Sequence, residues 1–497
     1  MTQGVLPFKY EKDEVGCGLT ALGGLPLYLD MAQAMRLSRA IEENLSIRSK
    51  SQGWTDSQMV MSLILLNLAG GDCVDDLRVL AKDEGFSRVL MHSEWHGKSR
   101  RERRELERRW RKERRHAVPS PSAVFRYLSE FQVKENGRAG EAFIPEKNTN
   151  LNGLINVNNC LLSSAQRIDC SREATLDMDA TLVETHKTDA LYCYKGFAAY
   201  QPLNTWWAEK GLLVHTEFRP GNVPAGFEQL RVFKEAVSCL PPGIEKVRLR
   251  SDTAGYQHDL LSYCDQGEDK RFGRIEFAIG CDVSREFKKA VREVPEENWN
   301  EFERDGKATG RQWAEVCFVP NAIGGSKNGP AYRYLATREI INEQGELPGF
   351  EQEKKYPFQT IDEKGKRYKI FGTVTNMDWE GERLINWLYG RCGESEEAHR
   401  AMKEDFAGGK LPSGRFGENA AWWWIMMLAM NLNAVLKKTV LEGNWAKRKM
   451  KAIRFGLINL PARVLTHSRQ LIIRCRQMEW LADIRGKILR LQDMLIS

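Results

Sequence analysis

The sequence predicts an α/β fold in which a mixed-sheet core is interrupted by a β-rich insertion and preceded by an α-helical region. Three observations predict it. Apolar residues recur at helical spacing over residues 1–135 with hardly any strand signal. From about residue 170 the pattern changes to strand-like alternation broken by two helical stretches. Turn-punctuated, β-rich sequence then fills 291–380 before helical spacing resumes at 381. A length of 497 residues leaves room for several structural units, and 42% hydrophobic with 28% charged residues is the balance of an ordered chain.

The N-terminal region supplies three signals. TDSQMVMSLILLNLAGG (55–71) has Thr55 as its N-cap, a strong apolar stripe and paired glycines as a stop. SPSAVFRYLSEF (120–131) opens on serine and proline capping chemistry and continues as a short amphipathic helix. Between them, KSRRERRELERRWRKERR (98–115) holds 11 basic and 4 acidic residues, net +7. Residues 437–497 hold 14 and 4, net +10, and the rest of the chain is net −10, so the overall +7 conceals basic surfaces around an acidic body. Such asymmetry points to a polyanionic partner. Arg100, Arg101, Arg103, Arg104, Arg108, Arg109, Arg111 and Lys112 are the candidate DNA-backbone contacts of the first run. A solvated helix with Glu-to-Arg pairs at i,i+4 accounts for the same charges.

In the core, EATLDMDATLVET (173–185) alternates, with Leu176, Met178, Ala180 and Leu182 on one face and Asp177, Asp179 and Thr181 on the other. Strands follow at 192–201 and 211–218, then a helix at 226–240, a strand at 246–252, a helix at 256–264 and a strand at 274–280. Three strands, helix, strand, helix, strand is the order of an RNase H-like core. Its first part spans 170–290 and its second 381–438, on either side of the insertion at 291–380. A basic region, 439–497, ends the chain with a hairpin at 461–476 and an amphipathic helix at 479–496.

Three acidic positions stand out. Asp179 sits in mid-strand among β-formers, where a carboxylate needs a compensating partner such as a metal ion; a polar face meeting solvent is the plainer explanation. Asp252 ends a strand at the edge where α/β proteins place ligand sites, and it equally suits a helix N-cap. In SEEAHRAMKEDF, helical spacing puts Glu396, His399, Arg400 and Lys403 on one face, which an ordinary salt-bridged surface helix would also do.

LDMDAT (176–181), RSDTAGY (250–256), YGRCGESEEAHRAMKEDFAGGKLPSGRF (389–416) and AAWWWIMMLAMNLN (420–433), with YKGFAAYQPL (194–203) and FRPGN (218–222), together resemble the bacterial insertion-sequence DDE transposases, most closely the thirteen-eighty group. The resemblance covers residues 120–476. It implies that Asp179, Asp252 and Glu396 are the catalytic, metal-binding carboxylates. It further implies that Lys403 matches the lysine of the related Y-R-E-K signature. Tyr389 and Arg391 lie near its tyrosine and arginine, although the signature's arginine position is here Cys392. Asp177 and Glu397 are the neighbouring alternatives. By the same resemblance the cofactor is Mg²⁺, with Mn²⁺ as substitute, two ions per site about 3.5–4 Å apart. Hard cations of this kind prefer carboxylate oxygen. Lys403 and Arg391 would bind DNA phosphates, and double-stranded DNA, both element ends and target, would be the partner of a homodimer. The implied activity is cleavage at terminal inverted repeats and strand transfer. Residues 300–375 would lie near the active site and touch DNA, where Trp206, Trp207 or Trp313 would stack on an extruded base unless, as the commoner role predicts, they pack in the core. An RNase H-like nuclease that cuts without joining, and a non-catalytic DNA-binding relative, share most of these features.

Other classes fit poorly. The best apolar run, Ala420 to Leu436, is broken by Asn431 and Asn433, so it reads as a buried helix and no membrane span is expected. The N-terminus has no secretory signal pattern, which predicts a cytoplasmic, nucleoid-associated protein. Eleven scattered cysteines without a C-x-x-C pair argue against zinc ribbons and disulfide frameworks. There is no G-x-S-x-G motif, and the histidines lack zinc-ligand spacing.

Overall fold

The computed structural model describes residues 18–48, 52–110, 116–134, 141–304, 306–320, 332–341, 356–441, 443–468, 470–476 and 478–496. At its centre is one ten-stranded mixed sheet. Five strands come from the predicted core: β1 (Glu173–Ala180), β2 (Leu203–Trp207), β3 (Leu212–Glu217), β4 (Lys246–Ser251) and β5 (Glu276–Cys281). Their order is β3-β2-β1-β4-β5, with β1, β4 and β5 parallel and β2 and β3 antiparallel to their neighbours. The crossovers are the helices Gln229–Ser238 and His258–Gln266, so the order of three strands, helix, strand, helix, strand is present, but its second strand is Leu203–Trp207 and not the expected 192–201, whose Leu191–Tyr192 and Ala198–Tyr200 form a separate small sheet with Val183–Glu184.

The β-rich stretch does not stand apart from this sheet. Its strands β6 (Asn300–Arg304), β7 (Lys307–Val316), β8 (Arg333–Ile340), β9 (Thr360–Glu363) and β10 (Lys366–Thr375) continue it, because β10 pairs antiparallel with β5 from Gly372↔Cys281 to Thr375↔Ala278. The core's outer parallel strand thus gains a partner for its exposed backbone groups.

The other edge, β3, is satisfied by side chains. Helix α1 (Thr149–Ile168) and helix α2 (Phe416–Thr439) pack against it, and Asn431 of α2 takes the Leu213 N–H on Oδ1 and gives Nδ2–H to the Leu213 carbonyl, each at 2.8 Å. Asn158 of α1 donates to the Val214 carbonyl at 2.9 Å. Asn433 accepts from the Tyr28 hydroxyl at 2.8 Å. The two asparagines that interrupt the apolar run are therefore buried and paired, as buried amides must be. Trp422, Trp423 and Trp424 are core residues of the same helix. Among the described residues no single helix is long and apolar enough to cross a membrane.

The N-terminal helices join the same hydrophobic core. Thr55 caps Asp56–Ala69 through a capping box with Gln58, and Gly70 ends it at φ 99°, a backbone conformation glycine adopts without strain. That helix is buried along nearly its whole length against α2, so it has no face left for a groove of DNA. Arg100–Arg108 is the opposite case: a capped helix with no buried residue. At the other end, Ala462–His467 and Gln470–Cys475 form the expected hairpin and Met478–Ile496 the expected helix.

Candidate active site

Parallel pairing of β1 with β4 ends at Met178↔Ser251, so the next residues, Asp179 and Asp252, lie side by side at the C-terminal ends of adjacent strands. This is where open α/β sheets bind ligands. Asp252 also fills the plainer role, since its Oδ1 accepts the Ala254 N–H at 3.0 Å and caps the short helix Thr253–Gly255. Capping leaves its second oxygen for other use.

The helix carrying Glu396 closes the third side. Arg391 Nη2 lies 3.3 Å and His399 Nδ1 4.0 Å from Asp179 Oδ2. Helix α3 (Glu394–Arg400) places Glu396 one turn before His399, on the same face. Glu396 is exposed and has no hydrogen-bond or ion-pair partner among the described residues. Lys403 follows in a π-helical turn, Ala401–Asp405, and lines an open cleft of about 810 Å³ with Ala180, Thr181, Lys195 and Lys410. Arg400 is taken up in ion pairs with Glu397, Glu404 and Asp405.

Burial sets the electrostatics. The Asp179 carboxyl is pushed up to about 6 by desolvation, with Arg391 opposing and the Asp252 charge adding. Burial, helped by the Lys403 and Arg391 charges, pushes His399 down to about 4, so it is neutral near pH 7 and its contact with Asp179 is not an ion pair. Both neighbouring alternatives are committed elsewhere. Asp177 receives a two-pronged contact from Arg250 at 2.6 and 2.7 Å, deep in the sheet, and Glu397 pairs with Arg400 and Lys449.

Two adjacent carboxylates, one held above the ordinary range by burial in spite of Arg391, are the hard oxygen donors a divalent cation prefers, and Glu396 lies on the helix whose His399 approaches Asp179. The three are not drawn up tight. Among the described residues, the one set of three candidate ligands within 4.8 Å of each other is Asp72, Cys73 and Asp76 on a surface turn.

The remaining predicted positions divide clearly. Arg100, Arg101, Arg103, Arg104 and Arg108 are exposed, with Arg101 paired to Glu105. Arg109 is half-buried and donates to the carbonyls of Arg48 and Gly53 at 2.7 and 3.0 Å, which makes it a structural tie. Arg111 and Lys112 lie outside the described residues. Trp206 and Trp207 are buried in the core, and Trp313 packs over Gly381, so none offers a free face to a base. Tyr389 turns away from the cluster to bond Thr337 and pack on Phe302. Sequence reasoning gave no role to His399, Asn204, Lys195 or Lys410. Only His399 carried a signal, its place on the Glu396 face.

A family model described as "Transposase DDE domain group 1" matches residues 9–494. Six solved chains also match. One, titled as a cryo-EM structure of the piggyBac transposase synaptic complex with hairpin DNA, is 12% identical over 87% of this chain and 80% of that chain, with a TM-score of 0.41. No curated protein matches.

Proposed function

Because the chain belongs to the "Transposase DDE domain group 1" family over residues 9–494, we propose that it mobilises an insertion sequence of the bacterial thirteen-eighty kind. In this reading it binds the terminal inverted repeats, cleaves there, and joins the freed 3′ ends to target DNA. The observation that carries the reading is the pairing of Asp179 and Asp252 at adjacent strand ends, faced by the helix that bears Glu396.

Asp179, Asp252 and Glu396 would hold Mg²⁺ or Mn²⁺, two ions per site. Bound there, the cations supply charge neutralisation at phosphorus and activation of water or a 3′-hydroxyl. The chain's own residues do the rest. Arg391 orients the Asp179 carboxylate and offsets its charge while the site is open. Lys403, with Lys195 and Lys410 lining the same cleft, binds DNA phosphate as a point charge. The exposed face of Arg100–Arg108 grips the backbone of the same duplex, and affinity falls steeply with salt. Two element ends call for two such sites, hence a homodimer on DNA.

The test uses purified chain and terminal-repeat duplex with Mg²⁺, Mn²⁺ or chelator. Metal-dependent nicking and joined products are expected, both abolished by Asp252→Ala and by Glu396→Ala. Normal cutting by either variant refutes the site, and cutting without joining reduces the protein to a nuclease.

A further inference from the structure

Behind Asp179, four buried side chains from three parts of the chain form a hydrogen-bond chain with one direction. The Trp423 indole N–H donates to Thr216 Oγ1 at 3.0 Å. The Thr216 hydroxyl donates to Asn204 Oδ1 at 2.7 Å. Asn204 Nδ2 then lies 3.2 Å from His399 Nε2. Asn204, Thr216 and Trp423 are fully buried and His399 nearly so.

An indole can only donate, so the Thr216 oxygen must accept from it and send its own hydrogen onward. That hydrogen finds the amide oxygen of Asn204, which turns the amide nitrogen, a donor only, toward the imidazole. The ring nitrogen it faces has to be unprotonated, and the ring's single hydrogen is left on Nδ1. Reversing the amide would bring its N–H₂ to Thr216 and leave the hydroxyl hydrogen without an acceptor in a dry interior, a costly arrangement. Nδ1 is the atom that lies 4.0 Å from Asp179 Oδ2. Asn204 is also the cross-strand neighbour of Asp179, so one strand pair places both the amide that faces the imidazole and the carboxylate beyond it.

We propose that this chain holds His399 as its Nδ1–H tautomer and makes it a positioning residue, aiming that N–H at Asp179 Oδ2 and thereby fixing which carboxylate lone pairs remain for a cation. At 4.0 Å the donor is aimed but not yet bonded, and a small rotation of Asp179 completes the contact. The role rests on the metal-site reading above; the tautomer does not, because it follows from hydrogen bonds that involve no cation.

The test is a long-range proton–nitrogen NMR spectrum of the whole chain, labelled with ¹⁵N in histidine and free of metal and DNA, with the residue 399 signals identified by their loss in His399→Gln. A protonated Nδ1 and bare Nε2 are expected. Asn204→Asp, which offers an acceptor to Nε2, should move the hydrogen there or protonate both nitrogens; Thr216→Val, which removes the orienting hydroxyl, should give a mixture. Mn²⁺ affinity should fall about tenfold or more in both variants, the usual effect of losing an outer-shell partner. An Nε2–H wild-type signal overturns the proposal even where a variant fails to fold. The expected tautomer with unchanged Mn²⁺ affinity in the variants overturns the positioning role alone. Failure of the wild type to bind Mn²⁺ at all sinks the metal-site reading and leaves the tautomer standing.

Discussion

Replacing Asp179 with asparagine should stabilise the cation-free protein at neutral pH and leave it unchanged in acid. The Asp179 carboxyl rises from the ordinary 3.8 to about 6, first through burial. An acid whose folded pKa exceeds its unfolded one holds its proton more tightly in the folded state. Below 3.8 both states are protonated and nothing is lost. Between 3.8 and about 6 the unfolded chain ionises first, so stability falls as pH rises. Above about 6 the full penalty remains, about 3 kcal/mol for a gap of this size. Asparagine has no charge to desolvate, so Asp179→Asn should gain up to about 3 kcal/mol above pH 6 and about nothing below pH 4. Urea unfolding followed by tryptophan fluorescence, with chelator present, reads the difference at the two pH values. Adding Mg²⁺ should raise the midpoint of the wild type by mass action and leave the variant where it was. A variant that is less stable than wild type at neutral pH, or equally displaced at both, would show that Asp179 is not a poorly compensated buried charge.

Other perturbations separate the paired carboxylates from the site. Asp177→Asn leaves Arg250 buried without its partner and should destabilise the chain by about 3–5 kcal/mol, whereas Glu397→Gln, in an exposed pair, should stay within about 1 kcal/mol by the same urea assay. Asn431→Leu strands the Leu213 N–H at the sheet edge, while the Leu213 carbonyl keeps its second donor, Asn158 Nδ2 at 3.2 Å, and should cost about 1–3 kcal/mol, with faster hydrogen exchange along β3. Gly417→Ala would drive a methyl group to 2.3 Å from the Phe131 carbonyl oxygen, so the start of α2 must shift; thermal unfolding should move down. Replacing Arg103 and Arg104 with alanine should weaken DNA binding without regard to sequence and flatten the slope of log affinity against log salt by about 2.

The first core strand was readable because Leu176 and Met178 alternate with Asp177 and Asp179, a period that survives without knowledge of neighbours, whereas Leu203–Trp207, buried on both faces, carries no such alternation and was placed too early, at 192–201. Asp252 was readable from its position at a strand end. Glu396 was different, because nothing in a helical E-rich segment distinguishes one surface glutamate from the next, and only the resemblance singled it out. Its neighbour Arg400 shows the limit of helical spacing, which fixes the face of a residue and not its partners: the guanidinium is taken up by Glu397, Glu404 and Asp405. Arg109 looked like its basic neighbours and is instead tied to carbonyls that lie 55 or more positions earlier. The union of β5 with β10 was equally hidden, since pairing between residues some 90 apart depends on register and not on local composition. The buried chain from Trp423 to His399 has the same origin: four residues that share no motif meet only when the sheet and α2 are assembled.

On the proposed function, Asp179, Asp252 and Glu396 share a cation. Iron bound in place of magnesium tests it most directly, because Fe²⁺ with ascorbate and peroxide cuts the backbone beside the metal. The fragment pattern should show cuts close to residues 179, 252 and 396 together, all suppressed by excess Mg²⁺. Cuts confined to the turn holding Asp72, Cys73 and Asp76, or present at two of the three positions and absent at the third, would contradict it.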